Sequence, residues 1–356
     1  MPVIQSDPVA PTSALEGGVA RDFRMLAVRI RAAGLLDRRL RYYTVKLVLT
    51  GAAFAAGWVA FFILGASWAN LGVAVFLGVM STQLGFLGHD AGHGQIFKSR
   101  RANRRLGLGI GNGLIGLSFG WWVPKHSAHH AHPNQVDRDP DIGVSLDTRA
   151  DADPVRKSGL SGILSRRQAE LFVPFMLLRS TGLYVSGVQD LLRRRDRAAI
   201  GEALLLGGHI ALYLSVIFWV LPLPQAAAFI AVHQAVFSLY LGCSFAPNHK
   251  GMPILEENAK VGFAQQQIMT ARNVAGGPCT GFLLGGLNYQ IEHHLFPTMP
   301  RPNLARAREL VRAFCLASDL GYCEVSPMRS CAQVLRRLRF AGLGGVRPLD
   351  SLAASS

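Results

Sequence analysis

Three short histidine-rich motifs are the part of this chain best suited to chemistry. They read HDAGH over 89–93, HSAHH over 126–130 and QIEHH over 290–294, and they hold seven of the chain's 11 histidines. Each motif follows an apolar stretch. Neutral imidazole is a strong ligand for iron, zinc and copper. The sequence therefore predicts a metal centre beside a membrane.

The spacing within the motifs suits ligands that converge. His89 and His93 stand four residues apart, which places them on one face of a helix. The three imidazoles of the second motif, at spacings of three and four, also share a helix face. His293 and His294 are adjacent and diverge by about 100° on a helix, so they can reach two different ions.

A further histidine, His249, follows the last long apolar stretch and belongs to the same set. The predicted ligands are His89, His93, His126, His129, His130, His249, His293 and His294. Eight imidazoles exceed the needs of one ion, so we expect two. A hydrolytic two-metal site would usually contain bridging carboxylates, whereas an all-nitrogen donor set next to lipid favours iron and oxygen chemistry.

Polar residues beside the histidines are expected to support them rather than to bind metal. Gln290 is a poor iron ligand but can hold a water molecule by hydrogen bonds. The carboxylates are predicted to orient imidazole N–H groups, although solvated loop charge explains the three loop aspartates, Asp137, Asp139 and Asp141, about equally well. The predicted supporting residues are Gln290, Asn248, Asp90, Glu292, Asp139 and Asp141.

Four apolar stretches are candidates to carry these motifs, because a helix needs about 20 apolar residues to span a bilayer. They lie near Val45–Leu64, Leu71–Leu87, Ala203–Leu221 and Ala226–Phe245. Very short links within each pair predict two helical hairpins. The Gly-rich segment 106–122 is predicted to be re-entrant or interfacial, because a full crossing would separate the first two motifs.

The charge distribution tests this arrangement. Of the 37 Lys and Arg residues, 8 precede or begin the first span, 17 lie between the hairpins and 12 follow the last span; the two hairpin links have none. This distribution obeys the positive-inside rule, so both termini and all three motifs are expected in the cytoplasm. The net charge of +15 is then explained by topology and lipid headgroups, and nucleic-acid binding is disfavoured.

The expected architecture is an all-α integral membrane protein with four spans in two hairpins and a cytoplasmic helical cap. One domain covers 21–340, with the cap built from 88–202 and 246–340, and 1–20 and 341–356 are expected to be disordered tails. The five cysteines form no CxxC pair, and no structural disulfide is expected. The Arg-rich composition favours a bacterial cell membrane.

Taken together, the motifs resemble the three histidine boxes of the membrane fatty acid desaturases. Their order, their spacing and the two-hairpin layout are similar over roughly residues 40–300. The glutamine in the third motif is similar to that of front-end and related bacterial acyl desaturases. The Asn248–Gly251 segment, Pro133-Asn134 and Asp139-Pro-Asp141 resemble the same branch. The wider superfamily also contains hydroxylases and ketolases.

The resemblance implies a di-iron centre that uses O2 and two electrons to place a cis double bond in a fatty acyl chain. The eight histidines would be ligands and Gln290 would act through water. The substrate would be an acyl-CoA or a membrane lipid. The chain has no HPGG motif of a fused cytochrome domain, so a separate ferredoxin or flavin reductase is the expected electron donor. The main alternative is a related hydroxylase or carotenoid ketolase. A metal transporter or sensor is a less favoured one.

Overall fold

The computed structural model describes residues 13–142 and 159–342. This part of the chain is mostly helical, with one π-helical turn at Gly109–Ile115 and two strands of two residues each. The helices are α1 Ser13–Ala32, α2 Leu40–Leu64, α3 Asn70–Gly92, α4 Arg100–Leu108, α5 Phe119–Ala131, α6 Gly159–Arg166, α7 Phe172–Leu177, α8 Arg179–Arg193, α9 Arg197–Val220, α10 Leu223–His249, α11 Phe263–Met269, α12 Pro278–Leu283, α13 Gln290–Leu295, α14 Arg301–Ala317 and α15 Pro327–Gly342.

Four of these helices, α2, α3, α9 and α10, are long and apolar enough to cross a membrane, so the structure has four candidate spans at the predicted places. Two of them extend further than the apolar pattern predicts. Helix α3 continues past Leu87 to Gly92, and α10 continues past Phe245 to His249. The polar ends therefore keep helical geometry, and they carry the first motif and His249 on rigid elements.

The Gly-rich segment forms a sharp bend. Helix α4 and the π-helical turn run together over 100–115, and α5 then leaves at 115° to them. Gly116 takes a left-handed conformation at this bend, with φ of 73°, which glycine adopts without a steric penalty. The amide of Phe119 donates a hydrogen bond to Asn112 Oδ1 at 3.0 Å. The bend directs α5, and with it the second motif, toward the end of α3.

The remaining helices pack around a separate apolar core. Leu26 and Ile30 of α1 are buried together with Ile291 of α13 and Val311 of α14. Strands β1, Asn273–Val274, and β2, Glu324–Val325, pair in parallel beside α13. The third motif is therefore held by a packed core, although the helix that carries it has only six residues.

Two sequence expectations need correction here. The predicted disordered tail over 1–20 is helical from Ser13 onward, because apolar residues of α1 find a buried partner surface. The short parallel strand pair was also not expected in an all-α fold. The rest of the first tail, most of 341–356 and part of the predicted cap, at 143–158, lie outside the described residues.

Candidate metal centre

Four helices bring all eight predicted histidine ligands to one place. His89 and His93 lie at the end of α3, and His249 is the last residue of α10. The second motif lies on α5 and the third on α13. The imidazoles come from positions up to about 200 residues apart in sequence. Seven of them form two groups whose ring nitrogens converge, and His130 lies between the groups.

The first group, here the four-histidine cluster, consists of His89, His93, His126 and His293. One ring nitrogen from each lies within 4.8 Å of those of the others. His126 Nε2 is 3.2 Å from His89 Nε2 and 2.9 Å from His93 Nε2. Trp122 stacks on His126, with ring centroids 4.5 Å apart. This spacing of ring nitrogens suits a shared metal ion better than it suits pairwise hydrogen bonds.

The second group, here the three-histidine cluster, consists of His129, His249 and His294, whose ring nitrogens also lie within 4.8 Å of one another. His129 Nε2 and His249 Nε2 are 3.3 Å apart. The amide nitrogen of Gln290 lies 2.9 Å from His249 Nε2. Gln290 is therefore at the edge of this cluster, where a fourth ligand would otherwise stand.

His130 lies between the two clusters. Its Nε2 is 3.2 Å from His126 Nε2, and its ring stacks on His294 with centroids 4.1 Å apart. Sequence spacing alone gave it the same role as its neighbours. Its ring is therefore within reach of both clusters.

Each imidazole of the three-histidine cluster donates its Nδ1–H to a fixed acceptor. His129 donates to Asp139 at 2.9 Å, and His249 donates to the Thr270 carbonyl at 3.0 Å. His294 donates to Gln267 Oε1 at 2.8 Å. Such bonds fix the tautomer and leave Nε2 free to bind a metal.

Buried nitrogens without partners support a metal at this site. His293 Nε2, His294 Nε2 and His130 Nδ1 are buried and make no hydrogen bond with the described residues. Burial, together with the neighbouring imidazoles, holds the pKa of His293 and His294 well below the ordinary value. Both rings are therefore neutral, with a lone pair available. Leaving such atoms unpaired costs about 1–3 kcal/mol each, a cost that metal coordination would remove.

The predicted supporting residues divide into those that touch an imidazole and those that do not. Asp139 contacts His129 directly, and Asp90 lies 3.5 Å from His89 Nδ1. Asp141 is more distant, at 3.9 Å from His129 Nδ1, and pairs with Lys125. Asn248 contacts no imidazole through its amide, which instead donates to Gln290 Oε1 at 3.1 Å.

Glu292 does not have the expected imidazole contact. Its carboxylate accepts hydrogen bonds from Asn273 Nδ2 and the Tyr322 hydroxyl, both at 2.8 Å. Burial raises the pKa of Glu292 to about 7. Asn273 Oδ1 also accepts from the Ile291 amide. Glu292 and Asn273 therefore anchor α13 to β1 rather than orienting a ring.

Several residues at the site were missed in the sequence. Gln267, Thr270, Asn273, Tyr322 and Arg301 all contact a ligand or its neighbours. They are single polar residues without motif spacing. The run of three glutamines at 265–267 is the one local signal, and it does not indicate which glutamine faces inward.

Comparison with known proteins agrees with this geometry. The fatty acid desaturase family model matches residues 66–326. The chain is 32% identical over 367 residues to a delta(8)-fatty-acid desaturase of Euglena gracilis, covering 98% of this chain and 85% of that protein. It is 30% identical over 323 residues to a delta(6)-fatty-acid desaturase of Caenorhabditis elegans, covering 87% and 72%.

An acyl-lipid (9-3)-desaturase of Physcomitrium patens is 31% identical over 333 residues, covering 90% of this chain. The match spans 62% of the moss protein, less than two thirds of its length. The resemblance inferred from the three histidine motifs is confirmed by these matches. The chain belongs to the fatty acid desaturase family.

Proposed function

We propose that this protein is an O2-dependent di-iron desaturase that inserts a cis double bond into a fatty acyl chain. The observation that carries the proposal is the pair of nitrogen-only clusters, which lie together at the ends of two membrane-type helices. Relatives named as acyl-lipid and fatty-acid desaturases support the same reaction.

The proposed reaction converts two adjacent methylenes, O2, two electrons and two protons into a double bond and two molecules of water. Two bound iron ions would supply the activation of O2. The four-histidine cluster would hold one ion and the three-histidine cluster the other, with His130 between them. Because burial keeps His293 and His294 neutral, their lone pairs are available for iron at physiological pH.

A cavity within the helix bundle supports an acyl substrate. It has a volume of about 420 Å³ and lies among α2, α3, α9 and α10, with walls that include Trp58, Leu212 and Phe237. His209 and His233, also in its walls, bond to the Gly113 carbonyl and the Tyr213 hydroxyl. These hydrogen bonds indicate structural roles for the two histidines. The rest of the cavity lining is mainly apolar and would suit an acyl tail.

We further propose that the four spans form two hairpins with the metal centre and both termini in the cytoplasm of a bacterial cell. The tight connections at 65–69 and 221–222 and the lack of Lys and Arg in them support this orientation. A separate ferredoxin or flavin reductase as electron donor stays a prediction. A basic cytoplasmic face would steer an acidic donor toward the protein.

Product analysis tests the reaction. The chain would be expressed in a bacterial host fed a labelled saturated or monounsaturated fatty acid, and the lipids analysed by mass spectrometry with double-bond localisation. A new double bond is expected, and it should be absent when His126 and His129 are both replaced by Ala. A hydroxylated or ketolated lipid without a new double bond would instead support a related oxygenase.

Metal analysis tests the centre independently of the product. The purified protein is expected to hold two iron ions per chain, as two separate nitrogen clusters require. A single zinc ion per chain that does not respond to reductant would contradict the di-iron proposal and favour a transport or sensor role.

A further inference from the structure

Helix α10 ends at His249, and a residue from a distant part of the chain bonds the carbonyls of its last turn. The final carbonyls of a helix have no partners within the helix. The Arg272 amide donates to the Asn248 carbonyl at 3.0 Å. The Arg272 side chain donates from Nε to the Pro247 carbonyl and from Nη2 to the Lys250 carbonyl. One arginine therefore bonds three carbonyls at the end of the helix that carries a predicted ligand.

The Arg272 side chain is fully buried and, among the described residues, forms no ion pair with a carboxylate. Burial lowers the pKa of its guanidinium to about 10, which still leaves the group charged at neutral pH. The end of α10 supplies the compensating charge, because the C-terminal end of a helix carries a partial negative charge that stabilises a cation. A buried charge without such compensation is costly. The position of Arg272 is therefore tied to the position of this helix end.

Helix α15 holds the same guanidinium from the other side. Arg272 Nη1 donates to Gln333 Oε1. The Ser330 hydroxyl donates to the Pro247 carbonyl at 2.9 Å. Gly251 permits this close approach, because a Cβ at that position would lie only 3.2 Å from the Gln333 carbonyl oxygen. Helix α15 lies beyond residue 326, where the match to the desaturase family model ends.

The chain on either side of Arg272 contacts the metal centre. Two residues earlier, the Thr270 carbonyl accepts the Nδ1–H of His249 at 3.0 Å. One residue later, Asn273 anchors α13 through its side-chain amide, and α13 carries His294. Arg272 thus lies between the contacts that place two of the three imidazoles of the three-histidine cluster. A shift of the α10 end would move one of these rings relative to the other.

We propose that Arg272 is a positioning residue of the three-histidine cluster. Its guanidinium, held by Gln333 of α15, fixes the end of α10 so that His249 Nε2 faces the other two imidazoles of the cluster. The proposal rests on the metal centre proposed above and adds α15 to the elements that build it. The four-histidine cluster should depend on Arg272 much less, because its residues lie on α3, α5 and α13 or directly after α3, and none lies on α10.

Chelator titration of the purified full-length protein tests the proposal, with iron per chain as the readout. Arg272→Gln removes the charge and the guanidinium fork. It should weaken binding of one of the two iron ions by about tenfold or more, the usual effect of losing a partner that orients a metal ligand, and leave the other ion nearly unaffected. Arg272→Lys restores the charge without the planar fork. Its iron affinity should lie between those of the wild type and Arg272→Gln.

Neighbouring residues of α15 provide matched variants. Gln333→Leu removes the acceptor that holds the guanidinium and should weaken binding of the same iron ion a few-fold. Val334→Ala shortens a side chain that is buried against Ala169 and Leu338. It should lower the thermal midpoint and leave iron affinity unchanged. If Arg272→Gln does not fold, Gln333→Leu compared with Val334→Ala provides the same test.

Hydrogen exchange of the metal-free protein reports on the helix end without any ion or turnover. The amides of Lys250 and Met252 form hydrogen bonds at the end of α10. They should exchange several-fold faster in Arg272→Gln than in Val334→Ala, because local opening is easier where a helix end has lost its partner. If the wild type binds no iron, the desaturase proposal fails, and this comparison still decides whether Arg272 holds the helix end.

Three results would overturn the proposal. Weakening of both iron ions in proportion to the loss of thermal midpoint, matched by Val334→Ala, would make Arg272 a general stabilising residue. Unchanged iron affinity and unchanged exchange in Arg272→Gln would mean that the helix end is held without the guanidinium. Faster exchange with unchanged iron affinity would mean that the helix end does not determine the geometry of the cluster.

Discussion

The two histidine clusters differ in how their imidazoles are held. In the three-histidine cluster every ring donates Nδ1–H to a fixed acceptor, on Asp139, Thr270 or Gln267. In the four-histidine cluster, His89 is the one ring among the described residues with a carboxylate near Nδ1, at 3.5 Å. The other rings of that cluster contact chiefly each other and Trp122.

With a metal ion in each, the two clusters would bind it in different ways. The four-histidine cluster has one more imidazole, so its affinity for a metal ion should depend more on the number of ligands. The three-histidine cluster has fewer imidazoles and depends more on their orientation, with the amide of Gln290 where another ligand would stand. Loss of an orienting partner should therefore harm the three-histidine cluster more than the four-histidine cluster.

The largest effect is expected when a ligand of the smaller cluster is removed. His129→Ala should reduce desaturation to background, because two remaining imidazoles cannot hold iron firmly. Product formation and iron per chain would both be measured, with membrane insertion followed by fractionation. His126→Ala should also abolish turnover but retain more iron, because three imidazoles of its cluster remain. Desaturation that survives in His129→Ala would remove this residue from the ligand set.

The ligands themselves could be predicted from the sequence because local periodicity encodes them. Spacings of three and four on α5 place three imidazoles on one face before any tertiary contact forms. Hydropathy likewise located the four spans. It stopped short of the ends of α3 and α10, because His89 and His249 continue a helix after the apolar pattern has ended.

The supporting residues could not be predicted, because packing rather than local pattern selects them. Gln267 meets His294 across 27 residues, and Thr270 meets His249 across 21. Glu292 is the opposite case, a residue that was predicted to orient an imidazole but does not contact one. Its place next to His293 suggested an imidazole contact, but its carboxylate is directed to Asn273 and Tyr322. Adjacent residues on a helix face different directions.

The next largest effect is expected on stability, at the four-histidine cluster. Asp90, beside His89, forms a buried ion pair with Arg301 at 2.6 Å. Asp90→Asn leaves that guanidinium buried without its counter-charge, which should cost about 3–5 kcal/mol. The thermal midpoint in detergent would fall markedly. Arg301→Gln should lower the thermal midpoint similarly. The double variant should lose less stability than the sum of the two single losses. Additive losses would show that the two groups act independently.

A smaller effect, on metal affinity, is expected at the three-histidine cluster. Asp139→Asn exchanges the carboxylate that orients His129 for a neutral amide, and should weaken iron binding about 10- to 100-fold. Iron retention during chelator titration measures this loss. Asp141→Asn is the matched control, since Asp141 lies 3.9 Å from the same nitrogen and pairs with Lys125. Equal losses in the two variants would mean that general negative charge, rather than orientation, supports the cluster.

The smallest effect is expected from Gln267→Leu, which removes a neutral acceptor from His294. The loss leaves the buried Nδ1–H of His294 without an acceptor, which should cost about 1–3 kcal/mol of folding stability. Because the bond involves no charge and is lost with and without iron, iron affinity should fall only a few-fold. Gln266→Leu is the control, since Gln266 contacts the Pro133 carbonyl rather than a ligand. Chelator titration should rank Asp139→Asn above Gln267→Leu and Gln267→Leu above Gln266→Leu. The reverse order would mean that the three-histidine cluster does not depend on the orientation of its rings, and the contrast with the four-histidine cluster would fail.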